Sequence, residues 1–261
     1  RYPADAPTGR VAAVSKTVVV TGANAGIGFQ AALNLSRMGW HVVMACRSMD
    51  KAQLAQGEIL AEVPQASTAI IVLDVSEPQS IREFGRRFSQ QTGELDLLIN
   101  NAGIVGTPLA RNSVGHERQL ATNSLGAFAL TGTLLPFFSR TSRARIVNVG
   151  SLMHRFGTLD LDDLNWEKTP YNEWQGYGRS KVAMLSFTLE LDRRLRGSGS
   201  NIIALGAHPG FANTEVTRKN AALQPKSALR EWRQKHLEPL IPSAAQAVRP
   251  IIHAATAAGV N

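Results

Sequence analysis

Tyr177 and Lys181 are the residues of this 261-residue sequence whose types and spacing most directly suggest acid–base chemistry. They lie near the start of a segment with helical periodicity, and a separation of four residues places both side chains on one helical face. A nearby ammonium favours the phenolate, which makes the phenol a better proton donor and acceptor near neutral pH. The same spacing also occurs in ordinary surface helices, so the pair alone predicts only a candidate proton-transfer site.

A glycine-rich stretch supplies a second candidate site. The β-branched run 18–20 leads into Thr-Gly-Ala-Asn-Ala-Gly-Ile-Gly at 21–28 and then into a helical segment that reaches Met38. Strand, glycine turn and helix in this order are typical of a dinucleotide site, because the backbone can approach the diphosphate and the helix N-terminus supplies amide donors. The alternative is a tight turn that needs glycine only for positive φ. The candidate cofactor-binding residues are Gly22, Asn24, Gly26, Ile27 and Gly28.

The end of the second predicted strand, 41–45, bears on cofactor choice. A NAD-preferring site places an acid near this point to hold the ribose 2′-hydroxyl, whereas Arg47 and Ser48 stand here. Arginine can meet a 2′-phosphate with a charged, forked contact, and the serine can add a hydroxyl donor. The sequence therefore favours NADP(H), with NAD(H) and a merely solvated arginine as the alternatives.

Two further strand ends carry polar residues. The third predicted strand, 69–73, ends at Asp74-Val75, where a carboxylate can accept from an adenine amino group or simply cap the next turn. The fourth, 95–99, ends in Asn-Asn-Ala-Gly at 100–103, which suits a ligand crevice or a plain loop. The candidate cofactor contacts here are Asp74, Val75, Asn101, Ala102 and Gly103.

Strands and helices alternate along the rest of the chain. Helices are predicted at 50–62, 77–91, 116–138, 177–195 and 243–258, and strands at 145–150 and 201–207. The helix at 177–195 is expected to have Leu185, Leu189, Leu191 and Leu195 on its apolar side. Without a break in composition, this alternation predicts an α/β chain with a single-domain Rossmann fold, a doubly wound parallel sheet with helices on both faces, over residues 1–261.

Composition excludes several other classes of protein. The chain is 44% hydrophobic and 18% charged, and no apolar run approaches the roughly 18 residues of a membrane span. Cys46 is the only cysteine, which rules out an intrachain disulfide or a cysteine-rich zinc site and favours a cytoplasmic location. The net charge of +8 is dispersed and accompanies no nucleic-acid motif, so no nucleic-acid partner is predicted. The opening residues lack signal-peptide character.

The assembled motifs resemble the short-chain dehydrogenase/reductase family over nearly the whole length of the chain. They follow the family order, and the segments VVMACRS, DDLNWE and AHPGFANTE are most similar to the retinol-dehydrogenase-like group and its bacterial relatives. The matching features are TGANAGIG at 21–28, Asp74-Val75, NNAG at 100–103, Asn123, Ser151, YGRSK at 177–181 and Pro209-Gly210.

The resemblance implies a role for each matching catalytic position. Tyr177 is expected to exchange a proton with the substrate oxygen, and Lys181 to lower the tyrosine pKa and hold the nicotinamide ribose. Ser151 is expected to hydrogen-bond the substrate oxygen, and Asn123 to position a water that links Lys181 to solvent. These roles agree with the chemistry, because hydride transfer leaves negative charge on a carbonyl oxygen and the nicotinamide itself performs the redox step.

The stretch between Ser151 and Tyr177 departs from the common pattern, because the two residues are 26 positions apart, wider than in most of the family. The resulting insertion, about 152–176, is expected either to form a wall over a hydrophobic substrate or to pack against the sheet edge. We do not expect His154 to be a base, since Tyr177 fills that role. The insertion contains Met153, His154, Phe156, Trp166, Tyr171 and Trp174.

Residues 211–240 are polar and are expected to form a flap over the nicotinamide, with Pro209, Gly210 and Thr214 as further cofactor contacts. Together these features predict an NADP(H)-dependent oxidoreductase acting on a small lipophilic alcohol, aldehyde or ketone, without a metal. A homo-oligomer is an open alternative to a monomer. The competing hypotheses are a non-catalytic NADP(H)-binding regulatory or scaffold protein, and an isomerase or dehydratase on the same scaffold.

Overall fold

Six parallel strands form the centre of the protein in a computed structural model that describes residues 16–139, 143–210 and 242–259. The sheet order is β3-β2-β1-β4-β5-β6, which confirms the predicted doubly wound α/β fold. The order reverses between β1 and β4, the point at which open sheets of this kind bind their ligands. The strands are β1 (Thr17–Thr21), β2 (His41–Cys46), β3 (Thr68–Val72), β4 (Leu97–Asn100), β5 (Arg145–Val149) and β6 (Ile203–Ala207).

Helices cover both faces of this sheet. The α-helices of the described residues are α1 (Gly26–Arg37), α2 (Met49–Glu62), α3 (Pro78–Gln91), α4 (Arg118–Leu120), α5 (Gly126–Leu134), α6 (Glu173–Gly197), α7 (Ala244–Ala247) and α8 (Arg249–Thr256). A π-helical turn, Ala121–Leu125, joins α4 to α5, and short 3₁₀ turns lie at Leu135–Phe137, Leu152–Phe156 and Leu161–Asp163.

The core consists of two apolar layers, one on each side of the sheet. Val18 and Val20 face the layer shared with α1, α2, α7 and α8, whereas Val19 faces the layer shared with α3, α5 and α6. Successive strand residues point to opposite faces, and both faces are covered. This double burial explains why the strands appear in the sequence as continuous β-branched runs.

Several predicted elements differ from the structure in their bounds; α6 starts at Glu173 and β6 at Ile203, not at 177 and 201. β4 starts two residues later than expected, because its pairing with β1 begins at Leu97, while Leu95 makes only an isolated bridge. The run 243–258 is divided into α7 and α8, and Pro250, at the start of α8, cannot donate the bond that would continue one helix. The predicted helix 116–138 is interrupted by the π-helical turn.

The expected apolar side of α6 is partly wrong. Leu185 is 38% exposed and Leu189 65% exposed, while the buried face includes Met184 and Thr188. Neighbouring helical residues are rotated by about 100°, so the two leucines lie one step beyond the buried stripe. The buried face is made largely of small and polar residues, which an apolar pattern does not reveal.

No helix within the described ranges is long and apolar enough to cross a membrane. The predicted flap, 211–240, lies outside the described residues, and so does Thr214.

Candidate active site

The glycine turn between β1 and α1 has the backbone geometry of a ligand cradle. Gly22 has φ +67°, in the left-handed region that favours glycine. A Cβ on Gly28 would lie 2.3 Å from the Gly22 carbonyl oxygen, so only glycine allows α1 to approach the turn this closely. Ala25 caps α1 without a side-chain hydrogen bond, which leaves the first amides of the helix for an anion. The turn, with Asn24, Gly26 and Ile27, therefore fits a dinucleotide diphosphate.

Thr21 holds this turn against the end of β4. Its hydroxyl accepts hydrogen bonds from the amides of Asn101 and Ala102, both at 2.9 Å, and donates to the Ile99 carbonyl at 3.3 Å. The side-chain amide of Asn101 donates to the Thr21 carbonyl at 2.9 Å. Sequence reasoning missed Thr21 as a site residue, although it is the first residue of the glycine motif. Hydrogen bonds thus connect the two predicted cofactor loops, 21–28 and 100–103, at the point where the strand order of the sheet reverses.

Arg47, Ser48 and Asp74 meet at the ends of β2 and β3. The Arg47 side chain is 76% exposed, with its guanidinium Nη1 3.9 Å from Asp74 Oδ2. Ser48 caps α2 by accepting from the Lys51 amide at 3.4 Å. Asp74 Oδ1 accepts from both the amide and the hydroxyl of Ser76, at 3.0 and 2.6 Å. Of the two roles predicted for Asp74, the structure shows the turn cap.

Tyr177, Ser151 and Lys181 lie together at the carboxyl end of β5. Lys181 is buried and donates from Nζ to the Val149 carbonyl at 2.9 Å, with Nζ 5.7 Å from the centre of the Tyr177 ring. Burial lowers the pKa of Lys181 to about 8. Burial also raises the pKa of Tyr177, and the neighbouring Ser151 hydroxyl, as a hydrogen-bond partner, acts in the opposite direction. Burial thus sets the net direction of the Tyr177 pKa in the protein alone, and the expected lowering of that pKa by Lys181 stays a prediction.

Asn123 lies in the π-helical turn and is fully buried. Its Oδ1 accepts from the Ile104 amide at 2.8 Å, and its Nδ2 donates to the Ile104 carbonyl and to Ser180 Oγ, both at 2.9 Å. The Ser180 hydroxyl donates in turn to the Tyr177 carbonyl at 2.7 Å. Asn123 thus links the loop after β4 to the catalytic helix. Its implied role in holding a water near Lys181 stays a prediction.

The end of β6 brings His208, Pro209 and Gly210 to the same edge of the sheet. Both ring nitrogens of His208 are buried and have no hydrogen-bond partner that meets strict geometry within the described part of the chain. Burial is the main cause that lowers its pKa, and the nearby charges of His154 and Lys181 lower it further. Sequence reasoning did not single out His208. Among the described residues, no group of three or more His, Cys, Asp or Glu side chains could hold a metal ion.

Some aromatic residues of the insertion before Tyr177 are buried by packing, and others are exposed. Trp166 is 7% exposed and contacts the Tyr171 ring edge-on at 5.4 Å between centroids. The Tyr171 hydroxyl accepts from Gln119 at 2.7 Å. By contrast, Phe156 and Trp174 are 74% and 42% exposed. Trp166 and Tyr171 thus pack against each other, Tyr171 is also hydrogen-bonded to Gln119 of α4, and the wall over a substrate stays a prediction.

Leucines of the same insertion border an apolar cleft of about 220 Å³ between α5 and α6. None of the catalytic candidates Ser151, Tyr177 and Lys181 lines it. The apolar side chains of the cleft wall are Leu120, Leu125, Phe128, Leu159, Leu161, Leu164, Ala183 and Phe187.

Comparison with known proteins agrees with this geometry. The family model described as short chain dehydrogenase matches residues 16–224. Human retinol dehydrogenase 13 is 44% identical over 203 residues, which are 78% of this chain but only 61% of that protein. Mouse retinol dehydrogenase 12 is 38% identical over 242 residues, 93% of this chain and 73% of that protein.

A solved structure of an uncharacterised protein from Mycobacterium paratuberculosis superposes with a TM-score of 0.72 and 36% identity. The match covers 93% of this chain and 77% of that one. The family model extends over most of the sequence, and the sequence identities of 36–44% to these relatives indicate common family membership as well as a common fold. The chain therefore belongs to the short-chain dehydrogenase/reductase family of oxidoreductases and lies in its retinol-dehydrogenase-like group.

Proposed function

We propose that this protein is an NADP(H)-dependent oxidoreductase that interconverts a hydrophobic alcohol and its aldehyde or ketone. The observation that carries the proposal is the cluster of Ser151, Tyr177 and buried Lys181 at the same edge of the sheet as the glycine turn. The name retinol dehydrogenase, borne by several relatives, supports a lipophilic substrate. The cytoplasmic location expected from the sequence stays a prediction, and a homo-oligomer stays an open alternative to a monomer.

The residues that would hold the cofactor lie along one edge of the sheet. The braced turn with Gly22 and Gly28 suits the diphosphate, and exposed Arg47 can turn from its 3.9 Å contact with Asp74 towards a 2′-phosphate. Lys181 is placed to meet the ribose hydroxyls next to the catalytic tyrosine. Pro209, Gly210 and Thr214 complete the proposed set, and the bound nicotinamide would supply or accept the hydride.

The protein's own part in the reaction is to hold the substrate oxygen and to move one proton. In the direction of reduction, the Tyr177 hydroxyl donates its proton to that oxygen while the Ser151 hydroxyl donates a hydrogen bond to it. Both donors stabilise the negative charge that develops there. Since burial raises its pKa, Tyr177 is protonated at neutral pH and ready to donate. The Lys181 ammonium stabilises the phenolate that remains.

The test is a panel of lipophilic aldehydes and ketones mixed with NADPH, with the loss of nicotinamide absorbance as the readout. We expect Tyr177→Phe to lower kcat by about 10²- to 10⁴-fold, the usual contribution of a positioned acid or base. NADPH binding, followed by fluorescence, should stay close to that of the native protein and serves as the folding control. Unchanged turnover in this variant would remove the proposal. Tight NADPH binding without turnover of any carbonyl would favour the non-catalytic hypothesis.

A further inference from the structure

Arg179 lies between Tyr177 and Lys181 in the sequence, and it is only 6% exposed. Its Nε donates to the Thr158 carbonyl at 3.2 Å, and its Nη1 donates to the Asp163 carbonyl. No carboxylate of the described residues forms an ion pair with it. Burying a guanidinium is costly unless its donors are satisfied, so these contacts account for its position. The mechanism proposed above does not use this residue.

The segment that Arg179 holds is residues 157–169, here called the strap. The guanidinium carbon lies 4.0 Å from the centre of the Trp166 ring, so the strap is bound by stacking as well as by two hydrogen bonds. Trp166 has φ +57°, which is unfavourable for a bulky residue and persists only where the surroundings fix it. The Asp163 carboxylate closes the strap by accepting from the amides of Glu167, Lys168 and Thr169.

The first residue of the strap, Gly157, makes a close backbone contact with the catalytic helix. Ser151 caps the 3₁₀ turn Leu152–Phe156, and Gly157 follows that turn directly. A Cβ on Gly157 would lie 2.2 Å from the carbonyl carbon of Gly178, the residue after Tyr177. This glycine pair therefore links the turn that begins after Ser151 to the part of α6 that carries Tyr177.

We propose that Arg179 is a positioning residue that fastens the strap to the catalytic helix and so keeps the Ser151 hydroxyl against Tyr177. This inference rests on the proposed function, in which those two hydroxyls act on one substrate oxygen. Arg179 donates to the Thr158 carbonyl before the 3₁₀ turn Leu161–Asp163 and to the Asp163 carbonyl at its end, which a long planar fork can reach together. It contacts no proposed reacting atom and is not itself catalytic.

The first test is a kinetic comparison of Arg179→Met with Arg193→Met, an exposed arginine on the same helix. Methionine keeps the length of the side chain but loses the charge and the donors to the strap. We expect Arg179→Met to lower kcat for carbonyl reduction by about 10- to 100-fold, the cost of displacing a catalytic group by about 1 Å. The dissociation constant for NADPH should change by less than about 2-fold, because the glycine turn lies on other elements. Arg179→Lys should recover part of kcat, and Arg193→Met should match the native protein.

A second readout is independent of turnover. The ultraviolet difference spectrum of the Tyr177 phenolate, isolated by subtracting a Tyr177→Phe titration, reports the tyrosine pKa without cofactor. The Ser151 hydroxyl lowers this pKa, so losing that contact should move the Arg179→Met titration to higher pH. Because Arg179→Met also removes a positive charge, which raises a phenol pKa by itself, Arg179→Lys is titrated as the charge-matched control and should lie between Arg179→Met and the native protein. A titration of Arg179→Lys equal to the native one would assign the shift to charge alone and overturn the positioning role. Lys181, His154 and His208 are the same in all of these proteins. Arg193→Met should titrate like the native protein.

The two readouts separate the possible failures. If the native protein reduces no carbonyl but Arg179→Met shifts the titration, the proposed function fails and the positioning role stands. If both kcat and the Tyr177 titration are unchanged in Arg179→Met, the positioning role is overturned. It is also overturned if kcat falls while the Tyr177 titration stays at the native pH. If Arg179→Met does not fold, Trp166→Leu removes the ring stacked on Arg179, together with its edge contact with Tyr171, and must cause a smaller change in kcat and in the Tyr177 titration. A native titration and kcat in Trp166→Leu would then overturn the proposal.

Discussion

The pKa values of Tyr177 and Lys181 are displaced in opposite directions, and both displacements come from the same cause. Burial disfavours the charged form of each group, so it raises the pKa of the phenol and lowers that of the ammonium to about 8. At neutral pH the protein alone therefore presents a neutral phenol and a mostly charged lysine. The spacing of the two residues predicts that they lie close together, but not how deeply they are buried, and burial sets the net direction of the Tyr177 pKa.

Arg47 carries the prediction on cofactor choice. Arg47→Asp removes the forked donor and places a second carboxylate near Asp74, which repels a 2′-phosphate. A hydrogen bond to a charged group contributes about 1.5–3 kcal/mol, so the dissociation constant for NADPH should rise by about 10- to 100-fold. That for NADH should change little, because it has no phosphate at this position. Fluorescence titration with each dinucleotide measures both constants.

Arg47→Lys is the matched control for this prediction. Lysine keeps the positive charge but not the planar fork, so it should bind NADPH with an affinity between those of the native protein and Arg47→Asp. An equal loss of affinity for NADPH and NADH in Arg47→Asp would refute the phosphate assignment. It would indicate instead that Arg47 maintains the end of β2.

Among the secondary-structure elements, the positions of strands are easier to predict from this sequence than the irregularities and buried faces of helices. Both faces of the sheet are buried, so β1 is a continuous β-branched run that is visible in the sequence. The π-helical turn Ala121–Leu125 leaves no such trace, because it depends on contacts of Asn123 with Ile104 and Ser180, which are distant in the chain. The exposure of Leu189 was equally hidden, since the buried stripe of α6 is mostly small and polar.

Gly126, the first residue of α5, follows the π-helical turn and lies against the backbone of the loop after β3. A Cβ at this position would lie 1.9 Å from the Val75 carbonyl oxygen, so Gly126→Ala must displace one of the two backbones. We expect a loss of about 1–3 kcal/mol in the free energy of unfolding, the usual range for overpacking. NADPH binding should also weaken, because Val75 lies in the proposed cofactor edge. Urea denaturation followed by circular dichroism measures the first effect.

Gly132 of the same helix is the control, because nothing lies within 4 Å of a Cβ built there. Alanine favours helix over glycine by about 0.8–1.0 kcal/mol, so Gly132→Ala should stabilise the protein or leave it unchanged. If Gly126→Ala were as stable as Gly132→Ala, the close approach of α5 to the loop after β3 would be refuted.

The whole molecule places motifs that are far apart in the sequence along one edge of the sheet. Beneath that edge, Asn100 donates to Asn148 at 2.8 Å and to Thr131 at 3.1 Å, and Asn148 donates to Thr188 at 2.9 Å. This buried polar chain connects β4 and β5 to α5 and α6. The motif order predicts the topology and therefore the meeting of the catalytic residues. It does not predict such cross-links, whose residues share no spacing or pattern.

Acid should destabilise the molecule through Asp163 in the strap. The hydrogen bond from the Thr169 hydroxyl is the main cause that lowers the pKa of this buried carboxyl to about 2, and hydrogen bonds from three main-chain amides contribute further. A folded-state pKa below the unfolded value of about 3.9 stabilises the protein above that value, and the contribution is lost as pH falls towards 2. Asp163→Asn does not titrate and should have a lower Tm at neutral pH. Its difference in Tm from the native protein should narrow between about pH 4 and 2, as followed by circular dichroism.

Glu190→Gln separates this effect from ordinary surface electrostatics. Hydrogen bonds from Arg193 and Arg194 also lower the Glu190 pKa to about 2, but all three side chains are exposed. Exposed ion pairs contribute little and are screened by salt, so Glu190→Gln should change Tm only slightly, and less at high ionic strength. The Asp163 effect should persist in salt, because its partners are main-chain amides and a hydroxyl of the same strap. A difference in Tm for Asp163→Asn that is constant with pH would show that the loss is one of packing and not of charge.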